Sequence, residues 1–227
     1  MRRLLSLWFC MAAVVVTAPA FAADMQLRAA PPVVNVSPWN GFYLGAGVGG
    51  MFNTTLNPDT TGFDLASYKP SGVTYGAFAG RNWQVQNWVV GLEVDFDVAN
   101  RHASNTIMEE MVTTATIKYL GSARARVGFT LAPNLLVYGT AGVGLANTAA
   151  SIGLGDMSVD ASTNHFGWVA GGGAEWLFTN NWSARIEYKH YDLGKSSYSF
   201  GPVVNINIPA ALTVDVAKFG LAYKFGV

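Results

Sequence analysis

The feature that most constrains this chain is a two-residue alternation of apolar and polar side chains that recurs along its length. Its clearest segment sets an apolar row against a row of glycine and carboxylates: Val90, Leu92, Val94 and Phe96 against Gly91, Glu93, Asp95 and Asp97. Similar segments begin near residues 42, 117, 182 and 219. A period of two is the pattern of β-strands that present two different faces. The sequence therefore predicts an all-β protein.

A repeated asparagine indicates the number of strands. Asn40, Asn87, Asn134 and Asn181 follow one another at intervals of 47 residues, and each precedes a strand-like run. Four units, each with one strand out and one strand back, make eight strands. The joints between units are short and turn-like, whereas long polar connections are expected within them. These connections are residues 52–71, 100–113, 147–164 and 193–213.

Two closed barrels fit this alternation: a soluble one with the apolar face inside, and a membrane barrel with that face in lipid. Short turns at one end and long loops at the other favour the membrane barrel, with the turns in the periplasm. The apolar face also carries aromatic residues near the strand ends, as an interfacial girdle requires. The predicted girdle consists of Trp83, Trp88, Trp176, Trp182, Tyr223 and Phe225. We therefore predict an eight-stranded antiparallel up-and-down transmembrane β-barrel with long extracellular loops.

The first residues have the pattern of an export signal. Met1-Arg2-Arg3 is followed by an apolar run and by Ala20-Phe21-Ala22, a small-x-small cleavage site. We interpret residues 1–22 as a signal peptide, 23–39 as an extended periplasmic segment and 40–227 as the barrel. The single cysteine lies within the signal peptide, so no disulfide is expected.

The opposite face of the strands is charged and rich in glycine, as a narrow lumen filled by side chains requires. Charges there must be paired, because an unpaired charge in such a place is very unfavourable. The predicted lumen set is Glu93, Asp95, Asp97, Lys118, Arg124, Arg126, Glu175, Arg185, Glu187, Lys189, Lys218 and Lys224. We expect a structural ion-pair network; the alternative is a gated narrow pore whose pairs exchange partners.

Other function classes have little support in the sequence. The chain has 14 basic residues (Lys and Arg) and 14 acidic residues (Asp and Glu). It therefore lacks the excess of basic residues that is typical of nucleic-acid-binding proteins. The GAGVGG segment at 45–50 lies within a strand, where a dinucleotide site needs a helix to begin. The three histidines lack metal-ligand spacing, so no metal or cofactor is expected. A hydrolase would have to use His190 with Ser196 or Ser197, and we expect no catalytic site.

Four short motifs resemble those of the small eight-stranded outer-membrane proteins of alphaproteobacteria, the RopB-type family. They are WNGFYLG at 39–45, NWQ at 82–84, LGSARARVGF at 120–129 and NWSARIEY at 181–188. Two positions differ from that family: Arg81 stands where an aromatic residue is usual, and Phe225 is followed by Gly226-Val227. The second bears on the outer-membrane assembly machinery, which reads a terminal aromatic residue.

The resemblance implies an OmpA-like barrel in the cell outer membrane, in contact with membrane lipids and lipopolysaccharide. It implies a non-enzymatic role in envelope integrity and surface antigenicity. In some branches it implies haemin binding, for which loop residues His102 and His165 are the candidates here. The alternatives at this point are a surface protein that binds haemin or a host ligand, and a narrow channel for small solutes.

Overall fold

The computed structural model describes residues 37–58, 72–108, 111–154, 157–199 and 207–225. The predicted signal peptide and most of the predicted periplasmic segment lie outside these residues. The described chain forms eight strands: β1 (Gly41–Pro58), β2 (Gly72–Val85), β3 (Trp88–Met108), β4 (Met111–Ala132), β5 (Leu135–Leu154), β6 (Met157–Leu177), β7 (Trp182–Ser199) and β8 (Asn207–Phe225). Each strand pairs antiparallel with the next, and β1 pairs with β8, which closes the barrel. The predicted fold class is confirmed. Within the described residues, no helix is long and apolar enough to cross a membrane.

Three of the four repeated asparagines lie in the tight turns at one end of the barrel, which we call the inner end, and Asn40 directly precedes β1. The carbonyls of Asn87, Asn134 and Asn181 accept hydrogen bonds from the backbone N–H groups of Thr130, Leu177 and Lys224, at 2.9, 2.9 and 2.7 Å. Each turn is thus tied to the inner end of a strand one hairpin further along the chain. The interval of 47 residues therefore reflects three equivalent contacts between neighbouring hairpins.

At the other end the strands run further than the sequence predicts. Residues 101–108 and 111–113 were expected in a loop but belong to β3 and β4. The same holds for 147–154, 157–164, 193–199 and 207–213. The expected boundaries are wrong because these segments are rich in polar residues, and a polar composition does not distinguish a loop from a strand that continues into water.

The outward face carries an apolar band. On β1 the band runs from Phe42 to Phe52, and on β6 from Trp176 to Phe166, a span of ten residue steps in each case. Ten residues of a strand tilted by about 40° rise roughly 25 Å, the height of the apolar band of an outer-membrane barrel. The band therefore matches the hydrocarbon layer.

The register of the barrel fixes the height of each residue in this band. A row of paired residues starts at Phe225, climbs around the barrel and returns to β8 at Asp215. Its members in order are Phe225, Phe42, Arg81, Leu92, Ala125, Ala141, Ala170, His190 and Asp215. Because the stagger is ten residues for eight strands, each step rises by one eighth of the band. Arg81 therefore lies near the inner end, and His190 and Asp215 lie near the outer end.

Beyond the outer end of the band, the two faces exchange character. On β6 the outward face changes from Phe166 to Asn164, and on β5 from Leu145 to Asn147; Asn147 donates to Asn164 at 2.7 Å. Register shifts lie near this level in four strand pairs: after Phe52, after Val98, between Ile117 and Tyr119, and after Asp192. We call residues 53–58, 72–74, 101–108, 111–117, 147–154, 157–164, 193–199 and 207–214 the outer extension.

The interior at this level is mostly apolar, although Thr54, Thr74, Thr148 and His165 are also buried there. A continuous core begins just inside the outer extension and continues into it: Met51, Ala99, Ile117, Leu120, Ala146, Ala161, Val169, Tyr191, Leu193, Ala210, Leu212, Val214 and Val216. The side chains inside the barrel are thus polar where lipid surrounds the barrel, and mostly apolar where water surrounds it. This is the arrangement expected of a barrel that projects from the membrane, because each face matches its surroundings.

Candidate functional site

The charged residues of the lumen form the densest group of ionisable side chains among the described residues. They come from five strands and face inward because they alternate with the apolar band. The buried members are Glu93, Asp95, Asp97, Arg124, Arg126, Glu175, Arg185, Glu187, Lys189, Lys218 and Lys224. The sequence predicted each of them as a lumen residue. We call this set the lumen cluster.

Glu93 lies at the centre of the cluster. Its carboxylate accepts hydrogen bonds from Arg124 at 2.5 Å and from Arg185 at 2.5 and 3.2 Å. The Tyr43 hydroxyl donates to the same carboxylate at 2.8 Å. Its side chain is 1% exposed. This carboxylate therefore depends on neighbouring side chains for the hydrogen bonds that water would otherwise supply.

Arg124 connects Glu93 with two other carboxylates of the lumen cluster. Its guanidinium donates to Glu93, to Asp95 at 3.0 Å and to Glu187 at 2.9 Å. The Thr140 hydroxyl accepts another hydrogen bond at 2.9 Å. A planar guanidinium with several donors is suited to hold three carboxylates at once, which a lysine ammonium on a single stem does less well.

Lysines hold the carboxylates of the outer level. Lys189 donates to Asp95 at 2.9 Å and to Asp97 at 3.3 Å. Lys218 also forms an ion pair with Asp97. The Ser122 hydroxyl donates to Asp95 at 2.5 Å. Each carboxylate at this level thus has at least two donors.

The inner level is built around Arg126. It forms an ion pair with Glu175, which also accepts a hydrogen bond from Ser183 at 2.7 Å. The guanidinium carbon lies 3.8 Å from the ring centroid of Tyr138, a cation–π contact. Lys224 lies inside the barrel with its ammonium 5.4 Å from the ring of Trp39. No described residue accepts a hydrogen bond from this ammonium.

Aromatic side chains fill the space between the charges. Phe78 is buried, and the guanidinium carbon of Arg185 lies 3.3 Å from its ring centroid. Glycine on the facing strands makes room for these rings: a Cβ at Gly45 would collide with Phe78, and a Cβ at Gly80 with Tyr43. The sequence analysis did not select Phe78 or Tyr43, although both lie on the inward face by alternation.

The inner mouth of the barrel is closed by Trp39. This residue is completely buried in a cluster with Val89, Leu136, Tyr138 and Leu177. Its indole N–H donates to the Pro133 carbonyl at 3.2 Å. Its backbone N–H donates to the Gln84 side chain at 3.1 Å. Trp39 therefore belongs to the barrel core, although its sequence position was assigned to the extended segment.

Three of the predicted site residues lie elsewhere. Lys118 is exposed, because a register shift between Ile117 and Tyr119 displaces it from the inward row. His165 is fully buried on the inward face of β6, so its assignment to an exposed ligand-binding loop is wrong. His102 lies in β3, paired with Thr116, and not in a loop. Both histidines are therefore strand residues.

The outward aromatic residues form a belt at each end of the apolar band. At the inner end Trp83, Trp88, Trp176, Trp182, Tyr223 and Phe225 are all exposed. Trp88 packs edge-on against Phe129, and Trp182 packs edge-on against Tyr223. The ring centroids lie 5.3 Å apart in the first pair and 5.2 Å apart in the second. The sequence analysis missed the outer belt, which includes Phe52, Tyr75, Tyr119, Phe166, Trp168 and Tyr188. Alternation alone does not show where on a long strand the band ends.

His190 lies at the outer end of the band, beside Asp215. The two side chains are 2.5 Å apart, and the Tyr188 hydroxyl donates to Asp215 at 3.0 Å. A hydrolase would require Ser196 or Ser197 next to His190. Ser196 donates to the Asn164 carbonyl at 3.1 Å, and Ser197 pairs with Pro209 on β8. Within the described part of the chain, no group of three or more His, Cys, Asp or Glu side chains is arranged to hold a metal ion.

Comparisons with known proteins agree with this architecture. Residues 9–225 match the model of the outer membrane protein beta-barrel domain. The chain is 33% identical over 230 residues to the 31 kDa outer-membrane immunogenic protein of Brucella melitensis, covering 91% of this chain and 93% of that protein. It is 34% identical to the 25 kDa outer-membrane immunogenic protein of Brucella abortus, covering 99% and 100%.

A further relative and one solved structure extend the comparison. The 22 kDa outer membrane protein of Rhizobium leguminosarum is 35% identical over 75% of each chain. The crystal structure of OprG from Pseudomonas aeruginosa has a similar fold, with a TM-score of 0.52 at 13% identity, covering 83% of this chain and 97% of that one. The family resemblance and the outer-membrane location expected from the sequence are confirmed. The chain therefore belongs to the outer membrane protein β-barrel domain family.

Proposed function

We propose that this protein is a non-enzymatic structural barrel that supports the integrity of the outer membrane and displays the outer extension at the cell surface. One observation carries the proposal: described side chains occupy the interior at three successive levels. Trp39 and its apolar neighbours fill the inner mouth, the lumen cluster with Phe78 fills the middle, and the apolar core fills the outer part.

The lumen cluster acts in this proposal as a fixed structural core. Glu93 has two arginines and a tyrosine as donors, and Arg124 has three carboxylates as acceptors. Removing one partner of a buried ion pair costs about 3–5 kcal/mol, because the other charge remains without compensation. A pore that opens by exchange of pairs would have to break several such contacts together. The geometry therefore supports a permanent closure better than a gate.

Electrical recording tests the closure. Protein refolded in detergent and inserted into planar bilayers is expected to give no discrete current steps above baseline. A porin refolded and inserted in the same way serves as the positive control for insertion and recording. The variant Phe78→Ala with Trp39→Ala is expected to stay closed as well, because the apolar core of the outer part remains. Discrete steps from the wild-type protein would overturn the proposed closure.

The envelope role is tested in cells of the source organism. Deletion of the gene is expected to raise uptake of a hydrophobic fluorescent dye and sensitivity to detergent, and the wild-type gene should restore both. A His190→Ala variant should restore them equally well, because the proposal gives this residue no catalytic role. A deletion strain with an unchanged envelope, or failure of His190→Ala despite normal amounts of folded protein, would contradict the proposal.

A further inference from the structure

Arg81 places a positive charge on the outward apolar band. It is exposed, and its register partners are Phe42 on one side and Leu92 on the other. Both partners point to the surroundings of the barrel and are more than half exposed. A cation in such a row is unfavourable against hydrocarbon, so its position requires an explanation.

The height of Arg81 in the band places it near the periplasmic headgroups. It is the second of eight steps in the row that climbs from Phe225 to Asp215, about a quarter of the way up. Trp83, two residues nearer to the short turn, belongs to the inner aromatic belt. A long arginine side chain can reach from this height to the level of the headgroups.

Two aromatic rings orient the guanidinium of Arg81 toward the periplasmic headgroups. Its central carbon lies 4.7 Å from the ring centroid of Phe42 and 5.1 Å from that of Trp83. Among the residues that the structure describes, no carboxylate forms a salt bridge with it. The side chain is thus oriented by rings and keeps its hydrogen-bond donors for a group outside the protein.

A furrow on the outer surface begins at this arginine. It is lined by small side chains, Ala79, Ala123 and Ala125, with Leu92 and Val94 between them, and it has a volume of about 570 Å³. The row that contains Arg81 reaches Ala125 two steps higher, at mid-height of the band. The furrow therefore runs from the level of the headgroups into the hydrocarbon layer.

We propose that Arg81 and this furrow form a binding site for an anionic phospholipid of the periplasmic leaflet. The guanidinium donates hydrogen bonds to the phosphate oxygens, with the planar geometry that suits a phosphate, and an acyl chain lies along the alanines. The charge and the apolar furrow are complementary to the two parts of one lipid molecule. Lipopolysaccharide occupies the other leaflet, at the height of His190 and Asp215.

Solid-state NMR tests the contact directly. The probe is the refolded protein, labelled with ¹⁵N-arginine, in phosphatidylglycerol bilayers. Dipolar dephasing of guanidinium ¹⁵N by lipid ³¹P should be present in the wild type and in a Lys195→Gln control, which removes a charge from the outer extension. The Arg81→Gln variant should lose the dephasing component. Unchanged dephasing in this variant would overturn the proposal.

Native mass spectrometry of the lipid that the protein retains tests whether the site prefers an anionic headgroup. One interfacial cation is expected to give a preference for phosphatidylglycerol over phosphatidylcholine of roughly fivefold, which Arg81→Gln should abolish and Lys195→Gln should preserve. Filling the furrow with Ala125→Leu should weaken retention of the lipid while Arg81 remains. Equal retention of both lipids by the wild type would contradict the proposal, as would equally strong binding of inorganic phosphate without lipid.

Discussion

The contacts of Glu93 allow the contribution of the lumen cluster to the free energy of unfolding to be predicted for a single substitution, Glu93→Gln. Glu93→Gln keeps the shape of the side chain but replaces one acceptor oxygen by an NH₂ group. That group would face the donors of Arg124 and Arg185, which now contact Glu93 at 2.5 Å each. Two guanidinium groups would thus lose their shared counter-ion. We expect the free energy of unfolding to fall by about 3–5 kcal/mol, the usual effect of breaking a buried ion pair from one side.

The measurement is equilibrium unfolding in urea of the protein refolded into lipid vesicles, followed by tryptophan fluorescence. Two variants calibrate it. Tyr43→Phe removes one hydrogen bond to the same carboxylate, and should cost about 1.5–3 kcal/mol. Asp160→Asn removes a carboxylate from the exposed face of β6, and should stay within about 0.5 kcal/mol of the wild type.

A double-mutant cycle separates the ion pair from other effects. Glu93→Gln combined with Arg185→Met should be less destabilised than the sum of the two single variants, with a coupling energy of about 0.5–3 kcal/mol. If Glu93→Gln lies within about 1 kcal/mol of the wild type, its carboxylate behaves like one in a solvated surface pair. The reasoning from a dry, fixed lumen would then be refuted.

Five further substitutions test three separate parts of the barrel in the same unfolding assay. Gly80→Val should lose about 1–3 kcal/mol by overpacking against the tyrosine hydroxyl above it, whereas Gly50→Ala should be nearly neutral because its Cβ would meet nothing nearer than 3.9 Å. Trp39→Ala should lose about 3–5 kcal/mol by removing the buried ring at the inner mouth. Val94→Arg, near mid-height of the band, should cost about 2–4 kcal/mol, and Val85→Arg beside the turn about 0–1 kcal/mol; equal effects of these two would contradict the assigned membrane position.

The sequence was sufficient to predict the lumen because alternation assigns a face to each residue. Glu93, Arg124 and Arg185 follow the period of two without interruption, and all of them are buried inside the barrel. The pairings among them were not predictable, because they depend on the stagger of the strands around the ring. Glu93 and Arg185, for example, lie 92 positions apart in the sequence and on strands that are not neighbours.

The wrong assignments of Lys118 and His165 have different physical causes. An added residue at Lys118 turns its side chain outward and breaks the count from the lumen arginines of the same strand, which the period of two does not show. His165 instead keeps the inward period that begins at Glu175, because β6 continues without a register shift. Its outward neighbours on the strand, such as Asn164, are polar, so polarity no longer indicates a loop.

The register also explains where polar and ionisable side chains occur on the outward face. Arg81, His190 and Asp215 belong to one paired row, whose climb places Arg81 at the second of eight steps and the other two at the seventh and eighth. These are the heights at which a polar side chain can reach a headgroup layer. Substitution of the intermediate members, Ala125 and Ala141, by a charge would place it in hydrocarbon, far from either layer. The stagger of the barrel, and not the sequence position within a strand, therefore decides where this outward face tolerates a charge.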